Sequence, residues 1–120
     1  QFEPQAQSKL ITVIKGEIQD VAVDLRKSSP TFGKYFSIIL SDSNLKQLFI
    51  PKGFAHGFLT LSKDSIVHYK VDNFYTPHCQ SSIAFNDKHI GIDWNINEKE
   101  IFTSDNDRNN SSFLDIKYFN

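Results

Sequence analysis

The sequence predicts an all-β fold, and three observations carry that expectation. No segment keeps a helical period over three turns. Runs rich in Val, Ile, Phe and Tyr show period-two alternation. Turn-forming clusters recur about every 8–12 residues, the rhythm of an antiparallel sandwich or barrel.

Residues 1–8 are polar and carry Pro4, so they form a loop. Residues 10–14 (LITVI) are a β-branched, buried strand that Lys15-Gly16 turns. Residues 17–25 follow as a strand that sends Ile18 to one side and Val21, Val23 and Leu25 to the other, with an irregularity expected near Asp20. Residues 28–33 (SSPTFG) are turn chemistry, 34–40 (KYFSIIL) the next strand, and 41–44 (SDSN) its close. The stretch QLFIPKGFAHGFLTLSKDSIVHYK, residues 47–70, organises the rest. Its strand stops at Pro51-Lys52-Gly53 and resumes with His56 near the start. After the polar turn 62–65, Ile66, His68 and Lys70 share one face and Val67, Tyr69 and Val71 the other. His56 and Tyr69 can then point into one cavity. Beyond a bend at 73–77, residues 82–87 form a run, 90–94 (IGIDW) a further short strand, 95–110 a polar irregular stretch, and 113–119 a weak final element.

Composition narrows the function. One domain is expected from 120 residues. A net charge of -1 and the lack of a basic run give no electrostatic case for nucleic acid. No apolar run approaches the length of a membrane span. The lone Cys79 cannot form an internal disulfide, and with no secretory h-region the expected compartment is the cytoplasm. The chain contains no methionine, so Gln1 is read as the start of a processed or excised chain.

The four histidines, His56, His68, His78 and His89, offer no His-x-His pair, so no metal is expected. Cys79 beside His78 is read as a packed thiol, because neighbours in sequence rarely face one another. What remains is metal-free acid–base chemistry, with Lys9, Asp20, His56 and Tyr69 as the ionisable residues on or beside strands. Spacing leaves two roles open for each. Lys9 can snorkel at a strand end, Asp20 can face water, His56 can be a turn residue, and Tyr69 can be a core ring with a bonded hydroxyl.

Taken as a set, the residues resemble a known family. The blocks Gly16-Glu17-x-x-Asp20-Val21-Ala22-Val23-Asp24-Leu25-Arg26, Ser29-Pro30-Thr31-Phe32-Gly33-Lys34, Gln47-Leu48-Phe49-Ile50-Pro51-x-Gly53-Phe54-Ala55-His56-Gly57-Phe58, Tyr69-Lys70 and Gly91-Ile92-x-Trp94 resemble dTDP-4-dehydrorhamnose 3,5-epimerase in register over nearly the whole length. The resemblance implies a cupin-type jelly roll (double-stranded β-helix barrel), a homodimer, a dTDP-sugar substrate and no metal or cofactor. It also implies inversion at C3 and C5 of dTDP-4-dehydro-6-deoxyglucose through an enolate. By the same resemblance Tyr69 is the acid, Lys9 steadies the enolate oxygen, and His56 and Asp20 sit near the sugar. Phe74 and Tyr75 lie near the nucleotide-sugar, and Asp107 orients the base, with Asp105 a competing candidate for that part.

The sequence departs from the family pattern at three places. Gln1 matches the last residue of an Arg-Gly-Leu-His-x-Gln motif, so the base histidine and its arginine would precede Gln1, and the chain as it stands is expected to be impaired. Phe49 stands where the family usually has Trp, and Asn95 where it usually has Pro. The alternatives are a non-catalytic dTDP-sugar-binding cupin and a related 3-epimerase or ketoisomerase.

Overall fold

A computed structural model describes residues 1–120 as six strands with a few single helical turns. β1 (Lys9–Lys15), β4 (Gln47–Ile50) and β6 (Ile66–Val71) form one antiparallel sheet in the order β4-β1-β6. β2 (Glu17–Asp24), β3 (Tyr35–Ser41) and β5 (Phe54–Thr60) form a second in the order β3-β2-β5. The two sheets pack face to face as a jelly-roll barrel.

Register decides which side chains enter the barrel. Lys9, Ile11 and Val13 of β1 are paired with Val71, Tyr69 and Val67 of β6. Ile18, Asp20, Ala22 and Asp24 of β2 are paired with Thr60, Phe58, His56 and Phe54 of β5. Directly opposed residues of an antiparallel pair share a face, and Ile11, Val13, Ile18, Ala22, Leu40 and Ile50 meet in one buried cluster. These two rows therefore line the space between the sheets. Full burial of a side chain such as Ile11, Ile18 or Leu40 contributes about 1.5–3 kcal/mol.

The alternate residues of β2 serve a second core. Val21, Val23 and Leu25 face away from the barrel and are covered by Ile90, Phe113 and Ile116 of the C-terminal segment. Gln19, on the same outer face, is buried and fastens that segment. Its amide donates to Ser37 Oγ and to the Asp93 carbonyl at 2.7 Å, and its Oε1 accepts from the Asn95 N–H at 2.8 Å.

Two local expectations are corrected. The register of β2 runs unbroken through Asp20, and the irregularity lies instead in β1, between Val13 and Lys15. Residues 90–94 form no strand. They cross the face of a sheet rather than follow its edge, Gly91 takes a positive φ of 63°, and side chains of Gln19 and Tyr35 hold the backbone where a ladder would otherwise do so. Within the polar stretch lie two short helical turns, a 3-10 turn over Glu98–Glu100 and α1 (Asp105–Arg108). No helix is long and apolar enough to cross a membrane.

Candidate active site

The most telling polar contact inside the barrel joins β2 to β5. His56 Nε2 lies 2.6 Å from Asp20 Oδ1, with the histidine side chain 11% exposed and the aspartate side chain fully buried. A carboxylate oxygen accepts, so in this contact the imidazole N–H is the donor and the Asp20 side chain orients the His56 ring. Asp20 Oδ2 has no hydrogen-bond partner despite its burial. A buried carboxylate oxygen without a protein donor is costly.

Lys9 supplies the charge that faces it. Burial pulls the Lys9 ammonium below its ordinary value, and the negative charge of Asp20 opposes that shift. The pair spans the gap between the sheets, since Lys9 belongs to β1 and Asp20 to β2.

Lys9 and His56 open onto a cleft of about 590 Å³ whose walls include Gln1, Gln7, Phe58, Tyr75, Trp94, Phe102 and Asp107. Tyr75 is set by a 2.6 Å hydrogen bond from its hydroxyl to Gln80 Oε1. Asp107 is set by the start of α1, where Ser104 Oγ accepts from the Asp107 N–H and donates to Asp107 Oδ2 at 2.8 Å. That reciprocal pairing satisfies an otherwise open helix terminus. Asp105 belongs to the same turn but not to the cleft wall.

The structure thus brings Lys9, His56, Tyr75 and Asp107 to one cleft, with Asp20 buried behind His56. Tyr69 shares the inner face of its sheet with Lys9 but is 61% exposed on the edge strand β6, outside the cleft wall. Phe74 is also exposed and outside the wall. Sequence reasoning missed Phe58, Gln7, Gln80 and Phe102. Phe58 was legible, because period-two alternation places it beside His56 on the inner face. The other three lie in loops, where no period exists to reveal them. No group of three or more His, Cys, Asp or Glu side chains is placed to hold a metal ion.

The family model for dTDP-4-dehydrorhamnose 3,5-epimerase matches residues 1–115. The chain belongs to this family. It is 48% identical over 119 residues to the enzyme of that name from Shigella flexneri, covering 99% of this chain and 65% of that one. The crystal structure of the Elizabethkingia anophelis epimerase superposes with a TM-score of 0.95 at 44% identity, covering 98% of this chain and 64% of the other. The Legionella pneumophila epimerase, solved in complex with dTDP-4-keto-L-rhamnose, superposes at 0.90 with 42% identity, covering 95% and 60%. The chain spans less than two thirds of the length of these relatives. Its barrel is accordingly of the cupin type, as the epimerase-family resemblance in the sequence implies.

Proposed function

We propose that the protein epimerises C3 and C5 of dTDP-4-dehydro-6-deoxyglucose to give dTDP-4-dehydro-L-rhamnose. The observation that carries this reading is a half-buried lysine facing a histidine–carboxylate pair at a cleft, within the fold of this family. A C4 ketone acidifies the protons on both neighbouring carbons. Removing one places negative charge on the ketone oxygen, and a positioned ammonium stabilises that charge most strongly where water is excluded. Lys9 is suited to this part, and the negative charge of Asp20 offsets part of the pull of burial. Reprotonation from the opposite face is assigned to Tyr69, on the inner side of the barrel's open edge.

By family resemblance Asp107 orients the catalytic base. Gln1 lines the same cleft as Asp107. Tyr75 and Phe74 contact the nucleotide. The protein works as a homodimer in the cytoplasm without a cofactor. Phe49, 63% exposed on the outer face of the β4-β1-β6 sheet, supports a covered face there.

The test is incubation with dTDP-4-dehydro-6-deoxyglucose in heavy water. Deuterium at C3 and C5, lost in Lys9→Ala and Tyr69→Phe, is expected. Incorporation at C3 alone would instead indicate a 3-epimerase. Binding of dTDP with no exchange at either carbon would indicate a non-catalytic dTDP-sugar-binding cupin.

A further inference from the structure

Asp87 is a buried carboxylate that the proposed chemistry does not use, and both of its oxygens are committed. Oδ1 accepts from the N–H groups of His89 at 2.9 Å and Ile90 at 3.1 Å. Oδ2 accepts from Ser112 Oγ at 3.0 Å and from the Phe113 N–H at 2.9 Å. One oxygen thus grips the chain as it leaves and the other grips it as it returns. Between the two limbs runs the segment 88–112, which contributes Ile92, Trp94, Phe102 and Asp107 to the cleft wall. Hydrogen bonds from the Ala84 N–H to the Ser111 carbonyl and from Ser82 Oγ to Asn110 Oδ1 close the same neck. Burial alone would raise the Asp87 carboxyl. The donors from Phe113, Ile90, Ser112 and His89 outweigh it and hold the group below its ordinary value, so it stays an acceptor at neutral pH. The one basic side chain within ion-pair distance of it is the exposed His89, whose Nδ1 is 3.7 Å away.

We propose that Asp87 is a positioning residue that sets Asp107 in the cleft by pinning the neck of the segment carrying it, an inference that rests on the epimerase reading. Ser112 follows Asp107 by five positions in the chain, so the returning limb is short. A shift at the neck is passed directly to α1 and to the Asp107 carboxylate that Ser104 holds. The contacts are asymmetric, and that makes the idea testable. In Asp87→Asn with the carbonyl kept at the Oδ1 position, the turn through His89 and Ile90 survives. The amide NH2 then meets the Phe113 N–H, which can only donate, so that bond is lost, while Ser112 Oγ has to turn from donor to acceptor.

The experiment is a double-mutant cycle in the full protein with dTDP-4-dehydro-6-deoxyglucose as substrate. Asp87→Asn is expected to lower kcat about tenfold with KM changed less than about twofold, and to cost nothing further in an Asp107→Asn background. An equal loss in both backgrounds, or no loss at all, overturns the proposal, because a merely structural role would add to the Asp107 effect. Ser112→Ala removes one donor only and covers the case in which Asp87→Asn does not fold. It is expected to lower kcat about threefold, again only when Asp107 is present, and an unchanged kcat overturns the proposal. Amide exchange separates this inference from the epimerase reading. If the unsubstituted protein does not turn the sugar over, the epimerase reading fails. Exchange at 104–110 that is about tenfold faster in Asp87→Asn, with β2 unchanged, then still supports the pin, and equal rates overturn it.

Discussion

Asp20 and Asp24 occupy the same face of β2, both with side chains almost wholly buried, and their surroundings treat them in opposite ways. Asp24 accepts from Arg26 Nε and Nη2 at 2.8 Å each, from Ser29 Oγ at 2.6 Å, from Thr31 Oγ1 at 2.7 Å and from the Arg26 N–H. The Arg26 guanidinium leads the causes that hold the Asp24 carboxyl well below the usual carboxylate range, and it also lies over the Phe54 ring at 4.6 Å. Asp20 has His56 on one oxygen and nothing on the other. A strand can therefore bury two carboxylates for different reasons. The saturated one ties the end of β2 to the 26–31 turn, and the unsaturated one holds a charge toward Lys9.

The comparison is broken most severely at the saturated end. Asp24→Ala leaves Arg26, Ser29 and Thr31 without their acceptor and is expected to cost about 3–4 kcal/mol in urea unfolding. The affinity of the folded fraction for dTDP should not move. At the other end, Asp20→Asn is expected to change unfolding free energy by less than about 1 kcal/mol while lowering the epimerisation rate about 10²-fold, close to 2.7 kcal/mol of barrier. A stability loss as large as that of Asp24→Ala would erase the distinction between the two residues.

Gly53→Ala probes the saturated end indirectly. Gly53 has φ of 91°, and an added Cβ would sit 2.6 Å from Arg26 Cγ. Pushing the arginine off Asp24 is expected to cost about 2 kcal/mol of stability, read as a lower unfolding midpoint, with turnover per folded molecule unchanged. The mildest prediction concerns acid. Because the folded Asp24 has a lower pKa than the unfolded chain, its contribution is fully present above the ordinary carboxylate value of 3.8. It is lost as the pH falls below about 4, where the unfolded chain takes up the proton first. Unfolding free energy measured from pH 5 down to pH 2 should fall less steeply in Asp24→Asn than in the unsubstituted protein.

Legibility followed the same divide between ladder and loop. Alternation alone put Val67, Tyr69 and Val71 on one face and separated Ile18 from Val21, Val23 and Leu25, and both groupings hold in the sheets. Asp20 and His56 were candidates in the sequence, but their spacing left each open to an ordinary role. Only pairing of Asp20 with Phe58 and of Ala22 with His56 brings the two side chains to 2.6 Å. The 90–94 run was misleading because its apolar residues cover a sheet face without joining its ladder.

The sequence by itself determined the runs that become the six strands, the two faces of β2 and β6 and, through blocks such as residues 47–58, the family. Period-two alternation and turn chemistry are local, so they can be read from neighbours in the chain. The tertiary structure alone decided that Asp24 is satisfied and Asp20 is not, that Asp107 rather than Asp105 lines the cleft, and that Asp87 closes the neck behind it. Each of those outcomes depends on which donors arrive from residues distant in sequence or from the other side of a turn. A hydrogen bond of that kind leaves no period in the chain to announce it.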